Sequence, residues 1–175
     1  MDSGNIYLTG FMGCGKSAVG ELLAKRLRMP FIDTDDFIEK EEGMRIYEIF
    51  RNKGENYFRS LEKECVKRVV KLKGYVVSLG GGAVMDADNR RKISSTGVTI
   101  TLSYPSELIA ARLARVKDRP LLDGIEGDDL RRRIDEIMKQ REKIYMESDL
   151  VLHFSKEIKM DRIVDMIVSY LGGRV

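Results

Sequence analysis

Gly10-Phe11-Met12-Gly13-Cys14-Gly15-Lys16-Ser17 satisfies the pattern G-x-x-x-x-G-K-[ST] in full. Glycines at these places let successive backbone N–H groups turn inward on an anion, at the positive end of a new helix. A lysine in that position reaches the β- and γ-phosphates of a nucleotide, and a serine hydroxyl after it ligates Mg²⁺. The flanks supply the context such a loop needs. Asn5-Ile6-Tyr7-Leu8-Thr9 reads as a short apolar strand, and Val19, Leu22, Leu23 and Leu27 follow with helical spacing. The chemistry indicated is the binding of nucleotide phosphates.

Two further stretches carry polar chemistry. Asp33-Thr34-Asp35-Asp36 closes a second apolar run, on the edge where the phosphate loop also ends. Asp33 and Asp35 are expected to act on ligands, by holding Mg²⁺ through water or by accepting from a substrate hydroxyl. Asp36 is expected to cap the helix that follows. Gly80-Gly81-Gly82 removes every side chain from the end of another strand. Such a triplet permits close backbone approach to a ligand and exposes N–H donors at a helix start. Basic residues bunch at Arg112, Arg115, Lys117 and Arg119, and again at Arg131-Arg132-Arg133. Aromatic interleaving and a nucleic-acid-binding motif are missing, so anionic small molecules are the expected partners and nucleic acid is not.

The elements that must position these groups alternate regularly. Strands are expected at Asn5–Thr9, Pro30–Asp33, Tyr75–Leu79, Val98–Leu102 and Leu150–His153. Helical patterns cover Lys16–Leu27, Thr34–Glu41, Arg45–Lys53, Tyr57–Leu72, Ala87–Ser94, Ser106–Ala114, Leu130–Met146 and Met160–Leu171. Unbroken apolar or β-branched runs such as Tyr75-Val76-Val77 suit strands covered on both faces. Right-handed crossovers then give an α/β domain of three layers, with ligands beyond the carboxyl ends of a parallel sheet. The turn-rich segment Lys117–Gly127 reads as a lid or binding loop, or as a plain surface loop.

The 175 residues suit a single domain with a sizeable core, and 43% hydrophobic against 34% charged residues excludes disorder. No apolar run approaches the roughly 20 residues that span a bilayer, and the N-terminal stretch lacks the regions of a secretion signal. Cys14 and Cys65 are the only cysteines, without disulfide or zinc spacing. The expected compartment is the cytoplasm, with no membrane partner. Cys14, a thiol in a loop whose N–H groups favour anions, is expected to react with thiol reagents and to be protected by ATP.

In order along nearly the whole chain come the phosphate loop, Phe31-Ile32-Asp33-Thr34-Asp35, Ile49-Phe50 with Gly54-Glu55, and Phe58-Arg59-Ser60-Leu61-Glu62. Ser78-Leu79-Gly80-Gly81-Gly82-Ala83-Val84, Arg119-Pro120-Leu121-Leu122 and Arg141 with Tyr145 follow. This series resembles the shikimate kinase family. The resemblance implies a P-loop kinase fold like that of nucleoside monophosphate kinases: a three-layer α/β/α domain with a five-stranded parallel sheet in the order 2-3-1-4-5. It implies one domain over 1–175 with a mobile lid near 112–127, a shikimate-binding helical region near 34–62, and a monomer.

The implied activity is transfer of the ATP γ-phosphoryl to the 3-hydroxyl of shikimate, with Mg²⁺. Implied for ATP are Gly13, Cys14, Gly15, Lys16, Ser17 and Ala18 at the phosphates, Arg112 stacked on adenine, and Arg119 closing over the transferring phosphoryl. Implied for shikimate are Asp35 on the ring hydroxyls, Arg59 and Arg141 as a carboxylate clamp, Glu62 holding Arg59 or a hydroxyl, and Gly80, Gly81 and Gly82 under the ring. Phe50 and Phe58 supply apolar walls or belong to the core. Lys16, Asp35 and Arg119 are the implied catalytic groups, and Ser17 with Asp33, through water, the implied Mg²⁺ ligands. Phe154-Ser155-Lys156-Glu157-Ile158 lacks the proline that the family carries near adenine. A gluconate kinase of the same fold, or a non-catalytic shikimate-binding regulator, is the alternative.

Overall fold

The computed structural model describes residues 4–114, 116 and 119–173. Arg115 and Lys117 of the basic cluster lie outside them. Five strands form one parallel sheet: β1 (Asn5–Thr9), β2 (Phe31–Asp33), β3 (Val76–Ser78), β4 (Gly97–Ser103) and β5 (Leu150–His153), in the order β2-β3-β1-β4-β5. The helices are α1 (Lys16–Leu27), α2 (Thr34–Glu42), α3 (Ile46–Lys53), α4 (Glu55–Val69), α5 (Ala87–Ser94), α6 (Ser106–Leu113), α7 (Gly127–Tyr145) and α8 (Met160–Gly172). Short 3₁₀ turns occupy Ala83–Met85 and Pro120–Leu122.

The strands are buried as their composition predicts: every residue of β1 and β3 is buried. Side chains alternate across the sheet. Leu8 faces α1, where a Cβ built on Gly20 would lie 3.2 Å from Leu8 Cδ1. Asn5 and Tyr7 face the opposite layer, against the end of α4. The α8 helix lies beside α1, joined to it on the surface by Arg26 and Asp165 at 2.8 Å. No helix among the described residues is long and apolar enough to cross a membrane.

Element identities match the sequence reading, whereas some boundaries do not. The α4 helix begins at Glu55 rather than Tyr57, because Gly54 alone joins it to α3. The α7 helix begins at Gly127 rather than Leu130, with Asp128 and Asp129 in its first turn, where the helix dipole favours acidic groups. At its other end α4 stops at Val69, three residues short of the predicted limit. The reason lies in β1. Asn5 Nδ2 donates to Leu72 O at 2.9 Å and, beside Leu72 N at 3.1 Å, to Val69 O at 3.4 Å, so it engages carbonyls at the helix end. Asn5 Oδ1 accepts from Tyr75 N at 3.0 Å, Nδ2 also donates to Tyr7 Oη at 2.9 Å, and Tyr7 Oη meets Thr96 Oγ1 at 2.8 Å. This buried polar knot sets where β1, β3 and α4 start and stop, opposite the ligand edge of the sheet.

Asn5→Ala removes one side of these bonds and strands buried partners, at a cost of about 2–4 kcal/mol. Thermal unfolding should show a midpoint lower by about 5–10 °C, with the Michaelis constants of the folded protein unchanged. An unchanged midpoint would show that the knot is not a structural anchor.

Candidate active site

β1, β2 and β3 are neighbours, so the segments leaving their carboxyl ends meet at one edge. From β1 comes the phosphate loop. Gly13 and Gly15 adopt φ of 76° and 92°, values that glycine tolerates and other residues resist. Gly15 is the N-cap of α1 and no side chain caps the helix there, leaving the first N–H groups for an anion. Lys16 is buried and folds back over the loop, donating from Nζ to Gly10 O and Phe11 O at 3.0 Å each. Cys14 Sγ lies 3.8 Å from the same Nζ. That side chain is 2% exposed, so the expected reactivity toward thiol reagents is contradicted by burial.

From β2 comes Asp33, which does two things at once. Oδ1 accepts from the N–H of Asp35 at 2.9 Å and of Asp36 at 3.4 Å, making Asp33 the N-cap of α2. The cap expected at Asp36 is therefore misplaced; Asp36 lies inside the first turn, where its own N–H needs an acceptor. Asp33 Oδ2 meanwhile accepts from Ser17 Oγ at 2.6 Å. A hydroxyl and a carboxylate in contact are hard oxygen donors and fit Mg²⁺, which keeps several waters and phosphate oxygens of its own. Among the described residues no group of three or more His, Cys, Asp or Glu side chains could hold a metal.

Between these carboxylates Thr34 is fully buried and accepts from Gly80 N through Oγ1 at 2.8 Å, tying β2 to the glycine turn after β3. The turn is where acidic and basic side chains crowd. A Cβ at Gly80 would lie 2.6 Å from Asp35 Oδ1 and 2.9 Å from Glu62 Oε1, and a Cβ at Gly82 would overlap Arg59 Nη1. At Gly81 it would lie 3.3 Å from Gly10 O and 3.6 Å from Arg141 Nη1. The triplet thus makes room chiefly for the protein's own charged groups, a use that the sequence reading did not foresee.

Helix spacing assembles those groups. On α4, Arg59 Nη1 pairs with Glu62 Oε2 at 2.8 Å, three residues on, and Nη2 with Glu55 Oε1 at 3.0 Å. On α7, Arg141 and Tyr145 stand one turn apart and both donate to Gly81 O, from Nη1 at 3.2 Å and from Oη at 2.6 Å. Two carboxylate oxygens, Asp35 Oδ1 and Glu62 Oε1, are sealed from solvent without a hydrogen-bond partner. Burial and the charge of Asp33 push the Asp35 carboxyl up to about 7, against the pull of Lys16 and Arg119. Burial likewise raises Glu62 above the usual carboxyl range, although Arg59 and Arg141 oppose it. Burial pushes the Tyr145 phenol up to about 12, which keeps its donor proton in place.

Asp35, Arg59, Glu62 and Arg141 line a cleft of about 800 Å³ together with Ser17, Asp33, the three glycines and Arg119. Phe50 and Phe58, with ring centroids 4.8 Å apart, form an apolar wall. Met12 of the phosphate loop and Ile46, Tyr47 and Arg51 of the region 34–62 are also on the lining; the sequence reading named none of them singly, because nothing in their types marks them. Arg112 stands elsewhere, on the far side of the phosphate loop. Its guanidinium lies 4.1 Å from the Tyr104 ring centroid and donates to Gly13 O at 2.8 Å. Nε and Nη2 also donate to the two oxygens of Glu157 at 2.9 and 2.5 Å. Glu157 and Tyr104 were likewise unforeseen.

A glycine loop between β1 and α1, in a parallel sheet of order 2-3-1-4-5, defines a P-loop kinase, an ATP-dependent phosphotransferase. A family model described as shikimate kinase matches residues 12–172. A shikimate kinase of Persephonella marina is 47% identical over 146 residues, 83% of this chain and 86% of that one. The structure of a shikimate kinase from Acinetobacter baumannii in complex with shikimate superimposes with a TM-score of 0.91 at 31% identity, covering 98% of this chain and 94% of that one. The shikimate kinase of Aquifex aeolicus gives 0.81 at 36% identity, covering 97% of each. The chain belongs to the shikimate kinase family.

Asp35 titrates far higher in the folded protein than the 3.8 of a free carboxyl. The folded state therefore binds more protons than the unfolded chain between pH 4 and about 7, and the stability due to this group falls as pH rises through that window. Asp35→Asn should flatten this slope and raise the melting midpoint at pH 8 by a few degrees while abolishing turnover. Parallel melting curves for the two proteins from pH 5 to 8 would contradict the burial argument. Gly80→Ala, which drives a methyl group into Asp35 and Glu62, should raise the KM for the acceptor substrate tenfold or more, an effect on the order of 1.4 kcal/mol, and leave that for nucleotide within twofold.

Proposed function

We propose that the protein transfers the γ-phosphoryl of ATP to the 3-hydroxyl of shikimate, giving shikimate 3-phosphate and ADP. The observation that carries this reading is the pair of unpartnered buried acceptors, Asp35 Oδ1 and Glu62 Oε1, beside the guanidinium groups of Arg59 and Arg141. Buried acceptors without donors call for hydroxyl groups, and two planar cationic forks call for a carboxylate. A small ring bearing vicinal hydroxyls and one carboxylate supplies both.

In this reading ATP enters with its phosphates on the N–H groups of Gly13 to Ala18. Lys16 exchanges its two carbonyl acceptors for phosphate oxygens, a gain because charge-assisted bonds are the stronger. Ser17 and, through water, Asp33 would hold Mg²⁺, which would supply positive charge beside the phosphates. Asp35 accepts the hydrogen bond of the attacking hydroxyl and orients that oxygen in line. A loose phosphoryl-transfer transition state leaves little work for a strong base, so orientation is the larger part of its role. Arg119, on the cleft wall and close enough for its charge to act on Asp35, offsets the charge of the transferring group. Arg112 presents a face to adenine. The segment carrying Arg119 acts as the lid of a single domain, and the protein works as a cytoplasmic monomer.

A coupled assay of ADP release with shikimate, gluconate or neither tests this. Turnover with shikimate supports the proposal; turnover with gluconate alone would replace it with the rival kinase. Tight shikimate binding without ADP release would make the protein a regulator. Lys16→Ala and Arg119→Ala should each lower kcat by about 10²–10³-fold, whereas Arg59→Ala should chiefly raise KM for shikimate, by about 10–100-fold. Normal turnover in the Lys16 variant would overturn the catalytic assignment.

A further inference from the structure

The guanidinium of Arg112, in the last turn of α6, is held on three of its nitrogens. Nη1 donates to Gly13 O of the phosphate loop at 2.8 Å, while Nε and Nη2 donate to the two oxygens of Glu157. Bonds from guanidinium N–H groups lie in the plane of the group, so these partners occupy its edges. One face lies over the Tyr104 ring, 4.1 Å from the centroid, and Tyr104 in turn packs on Phe154 with centroids 4.8 Å apart. Both rings are buried, and the strand ends that carry them are tied by Phe154 N donating to Ser103 O at 2.9 Å. With its edges bonded and one face on a ring, the 26% of the Arg112 side chain that stays exposed falls chiefly to the opposite face.

A guanidinium beside a phosphate loop has two competing uses. Unpaired, it is a cation whose planar fork meets phosphate oxygens. Paired along its edge, it is a flat plate whose remaining face stacks on an aromatic ring. The fork formed by Nε and Nη2 is the one that Glu157 takes. Arg112 holds the Glu157 carboxyl below the usual carboxylate range, so the pair is ionised at neutral pH. Glu157 thus offsets the charge of Arg112 and fixes its rotation without covering its open face, while Tyr104 supports the covered one.

We propose that Glu157 is a positioning residue for the nucleotide base: by taking the fork of Arg112 it keeps the guanidinium flat on Tyr104 and away from the phosphates, so that the open face receives the adenine ring. The inference rests on the assignment of Arg112 to adenine made above. Glu157 touches no nucleotide in this account and acts through the arginine that it orients. The bond from Nη1 to Gly13 O sets the plate at a fixed place relative to the phosphate loop, which matches base and phosphates to one nucleotide.

ADP and inorganic pyrophosphate differ chiefly by the nucleoside, so the ratio of their dissociation constants, measured with Mg²⁺ present, separates the base from the phosphates. Glu157→Gln keeps the shape of the side chain and removes its charge. That side chain is 61% exposed, so little of the fold depends on it. In the variant ADP should bind about three- to fivefold more weakly and pyrophosphate about twofold more tightly, because the freed guanidinium turns to the phosphates. A merely structural contact would weaken both together. An unchanged ratio overturns the proposal, and so does a parallel loss of both affinities. Arg112→Ala, measured alongside, tells the two readings apart. If it leaves the ratio unchanged, the assignment of Arg112 to adenine fails; if it weakens ADP selectively while Glu157→Gln does not, only the role of Glu157 fails. Neither ligand requires an acceptor, so the outcome is independent of which hydroxyl the enzyme phosphorylates.

Discussion

The constraint on which the site depends is a stretch of backbone without side chains, pressed on by charges of both signs. Asp35, Glu62, Arg59 and Arg141 reach Gly80, Gly81 and Gly82 from three different helices, and a single methyl group at two of the three places would push one of them out. Crowding of this kind is expensive. Taking carboxylates from water costs several kcal/mol unless every lone pair is matched, and here two oxygens are unmatched. The cost appears in the raised titration of Asp35 and Glu62. Unsatisfied groups walled in beside a cleft are stability withheld from folding, the usual trade between a poised site and a comfortable fold.

The fold can bear this because its other connections are over-determined. At the opposite edge of the sheet, Asn5, Tyr7, Tyr75 and Thr96 satisfy one another without loss. At the ligand edge, Thr34 ties β2 to the turn after β3, and Asp33 both caps α2 and meets Ser17 at the start of α1. Each bond joins segments leaving adjacent strands, so the register of β2, β3 and β1 fixes the positions of loop, carboxylates and glycines relative to one another. The charged side chains are then added in helical pairs, Arg59 with Glu62 and Arg141 with Tyr145, where spacing of three or four residues suffices to bring both members to one spot.

That division also explains what was legible in the sequence. The phosphate loop, the five strands and the eight helices follow from local pattern: glycine placement, apolar runs and periodicity. The convergence of Asp35, Arg59, Glu62 and Arg141 was legible only through the order of motifs, since nothing local says that residues 35, 59, 80 and 141 meet. Contacts that depend on distant segments stayed hidden. Asn5 looks like one polar residue in an apolar strand until the carbonyls at the end of α4 are seen beside it. Asp33 and Asp36 are both capping residue types, and only backbone geometry tells which one caps. Cys14 sits in an electropositive loop, yet reactivity also needs access, and access is a property of packing rather than of neighbours in sequence. Glu157 carries no motif; its meaning comes from Arg112, 45 residues earlier.

The two halves of the site are prepared in opposite ways, and the difference has a physical origin. Around the phosphate loop the cationic side chains are already engaged: Lys16 rests on two carbonyls, and Arg112 is held by Glu157, Tyr104 and Gly13 O. Their partners are neutral or exposed, so under the proposed function those of Lys16 exchange cheaply for phosphate. Toward the acid, carboxylate oxygens are bare and walled in, and solvent does not relieve them. A nucleotide is recognised mainly through backbone N–H groups that any phosphate satisfies. A small hydroxy acid offers only a few atoms, so discrimination must come from groups that suffer when the wrong atom arrives. Buried, unpartnered acceptors are such groups, since a ligand lacking a hydroxyl leaves them as costly as before. Selectivity in this protein is therefore built where the folded state is least at ease.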